Sequence, residues 1–253
     1  MKMDINCDLG EGFGHWKVGL DELVMPLITS ANIACGFHAG DPIIMRKTVK
    51  LALDHKVGIG AHPGFPDLQG FGRRAMTMPA EDVRDYVLYQ ISALKGFVEA
   101  EGGHLQHVKA HGALYNIASK DPVLARALVA AIQELDDRLI VLCPAQSEMA
   151  RAAMAADQPW RAEVFADRAY MADGSLAPRS LEGAVHKDQA KAVLQALELA
   201  KGMAIPTLDG KQITLKASSI CVHGDTEGAL DLVRSIRATF QQDGIDIEPM
   251  GTR

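Results

Sequence analysis

Short apolar runs and longer helical periods alternate along this chain. Seven runs have strand length: Met3–Cys7, Ile28–Ala34, Val57–Ala61, Gln106–Lys109, Leu139–Cys143, Glu163–Ala166 and Ser219–Val222. Several are apolar without clean alternation, the pattern of strands covered on both faces. Stretches with helical spacing lie between them. Asp41-Pro42 opens one that reaches about His55, with Ile44, Val49, Ala52 and Leu53 among its apolar positions. Asp121-Pro122 repeats the signature ahead of Leu124, Leu128, Ile132 and Leu135. Aspartate caps the free N–H groups of a first turn, and proline fits the first helical position. Pro79 begins a longer helix to about Ala100, whose early Glu81 and Asp82 suit the positive end of the helix dipole. Further helices are predicted over Ala145–Ala155, Asp188–Ala200 and Thr226–Gln241, with Gly202 and Gly244 as stops.

Strand and helix in alternation predict an α/β fold with a parallel sheet and right-handed crossovers. Two regions break the rhythm. Asp167 to Lys187 shows no clear period, and loops that long in compact domains are commonly lids or binding loops. Ile205–Leu208 and Gln212–Leu215 flank Asp209-Gly210, which predicts a hairpin. No linker or internal repeat is visible, so residues 1–253 read as one domain, a length that suits a β/α barrel.

Composition narrows the function classes. Hydrophobic residues make up 48% and charged residues 23% of the chain, which excludes a disordered protein and allows a large core. A net charge of −6 argues against a nucleic-acid partner, because phosphate binding needs a basic surface. No apolar run is long enough for a signal peptide or a membrane helix, so a cytoplasmic protein without a membrane partner is expected. Cys7, Cys35, Cys143 and Cys221 form no Cys-x-x-Cys pair and read as small buried thiols.

The candidate chemistry follows the apolar runs. The first leads into Asp8-Leu9-Gly10-Glu11, and the second into Gly36-Phe37-His38-Ala39-Gly40-Asp41. The third leads into His62-Pro63-Gly64 and then Gly72-Arg73-Arg74, and the fourth into Lys109-Ala110-His111-Gly112. The sixth precedes Asp167-Arg168, and the seventh precedes His223-Gly224-Asp225. In a parallel α/β fold the loops after the strands share one face, where active sites are built. Histidine offers acid/base or metal chemistry near neutral pH, and carboxylates offer a base or a ligand. Helix capping is an equal reading of Asp41 and Asp225. A buried Lys109 needs a carboxylate, an anionic ligand or a depressed pKa. His15, His55, His104, His107 and His186 lack the placement or the glycine context of the other four. No G-x-x-x-x-G-K-[ST] occurs, and Gly10-x-Gly12-x-Gly14 has the wrong spacing for a dinucleotide fingerprint.

The same segments resemble the LamB/YcsF family. The matching stretches are Asp4-Ile5-Asn6-Cys7-Asp8-Leu9-Gly10-Glu11, Ser30 to Asp41, Gly60 to Asp67, Gly70-Phe71-Gly72-Arg73-Arg74, Val108 to Asn116, Phe165 to Tyr170, and Val222-His223-Gly224-Asp225. They run in order over nearly the whole chain. The resemblance implies an irregular seven-stranded, TIM-like β/α barrel similar to that of the polysaccharide deacetylases. It implies ATP-dependent opening of the 5-oxoproline lactam to L-glutamate, with ATP split to ADP and phosphate. ATP is then a co-substrate whose site involves the partner subunits, 5-oxoprolinase subunits B and C, and self-association is left open.

On this reading Asp8 or Glu11 is the base or helps to hold a metal. His62 and His111 are acid/base candidates, and Lys109 and Arg73 meet carboxylate or phosphate oxygens. His38, Asp41, His223 and Asp225 complete the substrate pocket. A divalent metal that activates water is the alternative use of the carboxylates and imidazoles, and the spacing does not reproduce the Asp-His-His site of the deacetylases. Two rival readings use the same residues: a stand-alone metal-dependent deacetylase or amidohydrolase, and a non-catalytic subunit that binds 5-oxoproline.

Overall fold

The computed structural model describes residues 1–223 and 228–251, without the side chain of His223. Seven parallel strands close into a barrel: β1 (Lys2–Leu9), β2 (Ser30–Ala34), β3 (Gly58–His62), β4 (Leu105–Val108), β5 (Ile140–Pro144), β6 (Trp160–Phe165) and, after the hairpin strands β7 (Ala204–Pro206) and β8 (Gln212–Thr214), β9 (Ser219–His223). Closure comes from β9, which pairs with β6 on one side and β1 on the other. A short β10 (Asp246–Ile247) extends the sheet beside Lys2 and Met3. The barrel is irregular, since β4 and β5 share only the pairs His107↔Ile140 and Val108↔Val141 and the register slips between Ile59 and Gly60.

Among the described residues the helices are α1 (Asp21–Val24), α2 (Pro42–Asp54), α3 (Ala80–Ala100), α4 (Gly112–Ala118), α5 (Pro122–Leu135), α6 (Glu148–Ala155), α7 (Gln189–Ala200) and α8 (Ala229–Gln242). The two Asp-Pro starts form as the sequence predicts. The Asp41 carboxylate accepts from the N–H groups of Ile43 and Ile44, and that of Asp121 from Val123 and Leu124. Helix α6 starts later than expected, because the Ser147 hydroxyl caps it by accepting from the Ala150 N–H. The short helices α1 and α4 carry too few turns for a period to show in sequence. The predicted hairpin is present as the antiparallel pair β7–β8.

The strands alternate more strictly than the apolar reading suggests. In β1, Met3, Ile5, Cys7 and Leu9 pack into the apolar layer under the helices, with Val87, Ile91 and Leu94 of α3 and Val233, Ile236 and Phe240 of α8. The intervening Asp4, Asn6 and Asp8 point into the barrel. There the Asp4 carboxylate accepts from the hydroxyls of Thr29 and Ser30, both at 2.7 Å, and from that of Ser219. Asn6 donates to Ser219 Oγ at 2.7 Å, and Asn32 donates to Asn6 Oδ1 at 2.8 Å. His107 Nε2 lies 2.7 Å from Asn32 Oδ1, an acceptor, so it donates. Gly60 makes this possible, because a Cβ there would land on the His107 ring. Barrels of this kind usually fill with branched apolar side chains. Here the filling is a buried hydrogen-bonded ladder, in which each polar group needs its partner.

Candidate active site

The ladder rises to the C-terminal ends of the strands, where a cleft of about 980 Å³ opens. Asp8, Glu11, His62, Lys109 and His111 line it together, with Arg73 on its wall. Each side chain arrives on a separate piece of backbone. Asp8 lies near the end of β1 and Glu11 in the loop beyond. His62 ends β3, and Lys109 follows β4. His111 precedes the first residue of α4.

Lys109 is the electrostatic centre. Its ammonium is 3.1 Å from Asp8 Oδ1 and 3.1 Å from Glu163 Oε2, and it donates to Asn6 Oδ1 at 3.2 Å. Cys221 Sγ lies at 3.1 Å. Burial alone would lower the pKa of this ammonium, but the two carboxylates outweigh that and hold it well above the ordinary lysine value. Asp8 Oδ1 also accepts from Asn32 Nδ2 at 2.8 Å, which directs Oδ2 toward His62 Nε2, 3.4 Å away.

Backbone carbonyls fix the histidine tautomers. His62 Nδ1 donates to the Lys109 carbonyl at 2.7 Å, and His111 Nε2 donates to the Phe71 carbonyl at 2.8 Å. The remaining nitrogens, His62 Nε2 and His111 Nδ1, face each other at 3.0 Å. Both are lone-pair atoms when the rings are neutral, so they need a shared proton or a cation between them. Burial, then the charge of His62, pushes His111 down to about 3. His38 stacks on His111 with ring centroids 3.6 Å apart, and its Nε2 is 3.3 Å from Glu11 Oε1. Burial, followed by His111 and His62, holds His38 well below the ordinary histidine value, and its buried Nδ1 has no hydrogen-bond partner.

The loop after β3 holds the second ring in place. The Asp67 carboxylate accepts from the Gly70 N–H and from Arg74 Nε, both at 2.9 Å, which shapes the turn carrying Phe71 and Gly72. Gly72 has φ +63°, and a Cβ there would press on both His38 and His111 at 2.7 Å. Its carbonyl also accepts from the Ala113 N–H at 2.9 Å, tying this loop to α4.

A ligand atom from each of Glu11, His38, His62 and His111 lies within 4.8 Å of the others. The separations are 3.0 Å (His62–His111), 3.5 Å (His111–Glu11) and 3.3 Å (His38–Glu11). Ligands at a Zn–N distance near 2.0–2.1 Å in a tetrahedron stand about 3.3–3.4 Å apart. Two lone pairs converging with a carboxylate therefore fit a small divalent cation.

Asp41 does not join this group. Its carboxylate caps α2 and accepts from the Gly14 N–H at 2.7 Å, so it staples the loop that carries Glu11. Asp225 and the side chain of His223 lie outside the described residues. His107, set aside in the sequence reading, is buried in the ladder below the cleft. His186 donates to the Gln195 amide oxygen at 2.9 Å, and Gln195 Nε2 donates to the carbonyls of Phe165, Ala166 and Arg168. Sequence reasoning missed Glu163, Asn6 and Asn32. Their signal was the polar residue at every second position of a strand that otherwise reads as apolar.

Three comparisons place this architecture among known proteins. The LamB/YcsF family model matches residues 3–253. The A subunit of 5-oxoprolinase from Pyrococcus furiosus is 50% identical over 251 residues, covering 99% of this chain and 98% of that protein. A lactam utilization protein from Thermus thermophilus superposes with a TM-score of 0.93 at 40% identity, covering 99% of this chain and all of that one (100%). A family 4 carbohydrate esterase from Streptomyces lividans shares the fold, with a TM-score of 0.52 at 10% identity over 99% of this chain and 93% of its own. The expected deacetylase-like, seven-stranded β/α barrel is therefore present. Among the described residues no helix is long and apolar enough to cross a membrane.

Proposed function

The chain belongs to the LamB/YcsF family, and from that membership we propose that it opens the lactam ring of 5-oxo-L-proline to L-glutamate, as the hydrolytic subunit of an ATP-dependent 5-oxoprolinase. The observation that carries the reading is the convergence of Asp8, Glu11, His62 and His111 on one cleft. The similarity to a 5-oxoprolinase subunit over nearly its whole length supports the substrate.

The lactam is a stable amide. Transfer of a phosphoryl group from ATP to its oxygen makes the ring carbon electrophilic, and partner subunits B and C supply that step. Ring opening then needs a base for water and an acid for the leaving nitrogen. His62 Nε2 carries the lone pair that takes the proton from water. Asp8 Oδ2, 3.4 Å away, and the Lys109 carbonyl, 2.7 Å from Nδ1, stabilise the resulting imidazolium. The water oxygen bonds to the ring carbon, the C–N bond breaks, and the nitrogen takes a proton. The phosphoryl group stays on its oxygen as an acyl phosphate, and a second water releases inorganic phosphate. Lys109, engaged by Asp8 and Glu163, holds Asp8 ionised and in place rather than touching substrate. With a divalent cation held by His62, His111 and Glu11, and His38 behind them, the His62 lone pair would be a ligand instead of the base, and the cation would supply water of lowered pKa and polarise the carbonyl oxygen. A cytoplasmic reaction fits the free, buried cysteines.

The test is glutamate release from 5-oxo-L-proline by the purified chain, alone and with subunits B and C, with and without ATP. Turnover is expected only with ATP and all subunits, and Asp8→Asn and His62→Ala are expected to abolish it. Full activity in either variant would defeat the assignment. ATP-independent turnover by the chain alone, with one bound metal per chain, would favour the amidohydrolase reading.

A further inference from the structure

The cleft extends well beyond the histidines. Its outer wall is built by the long segment between β6 and α7, which contributes Arg168 and Arg179, and by Arg73 from the loop after β3. Arg168 is 5% exposed and is fastened from behind. Its Nε donates to the Ala184 carbonyl at 3.3 Å and one Nη2 hydrogen goes to the Ala177 carbonyl at 2.6 Å. Two of the five guanidinium donors are thereby accounted for, and the group lines the cleft. Burial, then the nearby charge of Arg179, pushes Arg168 down to about 10, against the opposing pull of Asp167, and Arg73 adds to the shift. Three guanidinium groups from two distant segments of the chain thus line one cleft. Guanidinium forks on a cleft wall match the oxygens of a phosphate, each offering parallel N–H donors.

The chemistry calls for such an anion. When the C–N bond of an O-phosphorylated lactam breaks, the phosphoryl group is still attached, one atom from the reacting carbon. The subunit that opens the ring must therefore hold a phosphoryl group beside its hydrolytic residues. Lys109 is unsuited, because its ammonium already contacts Asp8, Glu163, Asn6 and Cys221. We propose that Arg73, Arg168 and Arg179 form a phosphoryl subsite on the cleft wall that binds the phosphate oxygens of the activated lactam while the ring opens. This rests on the ring-opening function proposed above. The same guanidinium chemistry could read the carboxylate of 5-oxoproline, and the experiment separates the two.

The purified chain is titrated calorimetrically with inorganic phosphate and, separately, with 5-oxo-L-proline, and the assembled enzyme is assayed for ADP and glutamate together. Arg179→Gln is the primary variant. Arg168→Lys is the second, because Arg168 also holds its loop. Each is expected to weaken phosphate binding roughly 10- to 100-fold, the range for loss of a charge-assisted contact. Affinity for 5-oxo-L-proline should be kept, and ADP formed should exceed glutamate as activated lactam escapes. Unchanged phosphate affinity with a one-to-one product ratio in both variants would overturn the subsite. So would loss of 5-oxo-L-proline binding with phosphate binding intact, which would assign the arginines to the carboxylate. An assembly with wild-type arginines that releases no glutamate refutes the ring-opening function itself, and the phosphate titration still decides the subsite.

Discussion

Replacing Lys109 by methionine keeps most of the side-chain length and removes the ammonium. Asp8 and Glu163 then lose a cation that stands 3.1 Å from each. At an effective dielectric of about 20, each pairing is worth about 5 kcal/mol of gross Coulomb energy, offset by the desolvation of every ion involved. Removing one partner leaves that desolvation uncompensated, so a loss of about 3–5 kcal/mol is expected at pH 8. The loss should depend on pH. A carboxylate buried without its cation has a folded-state pKa above its unfolded value. Its contribution to stability is therefore complete below the unfolded pKa and falls as pH rises through the folded one. Lys109→Met should thus be closest to wild type near pH 4–5 and furthest from it at pH 8. Adding Glu163→Gln removes one of the two stranded charges and should recover part of the loss. Urea unfolding followed by circular dichroism at both pH values measures this. A loss below about 1 kcal/mol at pH 8, or no recovery with Glu163→Gln, would show that the ammonium does not hold the two carboxylates as described.

Burial raises the Asp4 carboxyl from 3.8 to about 6, so the contribution of Asp4 to stability should fall by about 3 kcal/mol as pH rises from 4 through 6, and the difference in stability between wild type and Asp4→Asn, followed by urea unfolding across that range, should carry this slope; a difference independent of pH would refute it. Gly60→Ala should drive the His107 ring off Asn32 and cost about 2–5 kcal/mol, read as a lower melting temperature; an unchanged melt would mean that the ladder tolerates the methyl group. Asp67→Ala should loosen the turn that presents the Phe71 carbonyl to His111. It should lower kcat/KM of the assembled enzyme about 10- to 100-fold, with a much smaller change in melting temperature. Dialysis of the chain against a strong chelator, followed by elemental analysis and a thermal melt, should lower the melting temperature if a cation occupies the histidine group, and zinc should restore it; no bound metal and no shift would assign the facing lone pairs to a shared proton.

Much of the barrel is legible in the residues because its signals are local. Asp41-Pro42 and Asp121-Pro122 announce helix starts through hydrogen bonds that span only two or three residues. The glycine and ionisable residues after six of the seven runs mark the face where a site can form, and the cleft opens on that face. The same local view finds β1 but not what its polar residues face. Met3, Ile5, Cys7 and Leu9 read as part of an apolar strand, while Asp4, Asn6 and Asp8 between them face a polar interior that no short window contains. Asp41 and Glu11 look alike as acidic loop residues, yet one caps a helix and the other lies beside His38 and His111.

The sequence by itself therefore determined the order of the seven barrel strands, the two Asp-Pro helix starts and the candidate histidines. Each depends on hydrogen-bond and burial patterns within a few residues. Only closure of the barrel decided the chemistry of the floor. Asn6 meets Glu163 across 157 residues of chain, and Lys109 meets Cys221 across 112, because β9 joins β6 to β1. It also decided that Lys109 is consumed by internal carboxylates and that Arg73, Arg168 and Arg179 line one cleft. Charge pairing acts through space at a few ångströms, and nothing in the spacing of residues along a chain fixes which charges a closed barrel brings together.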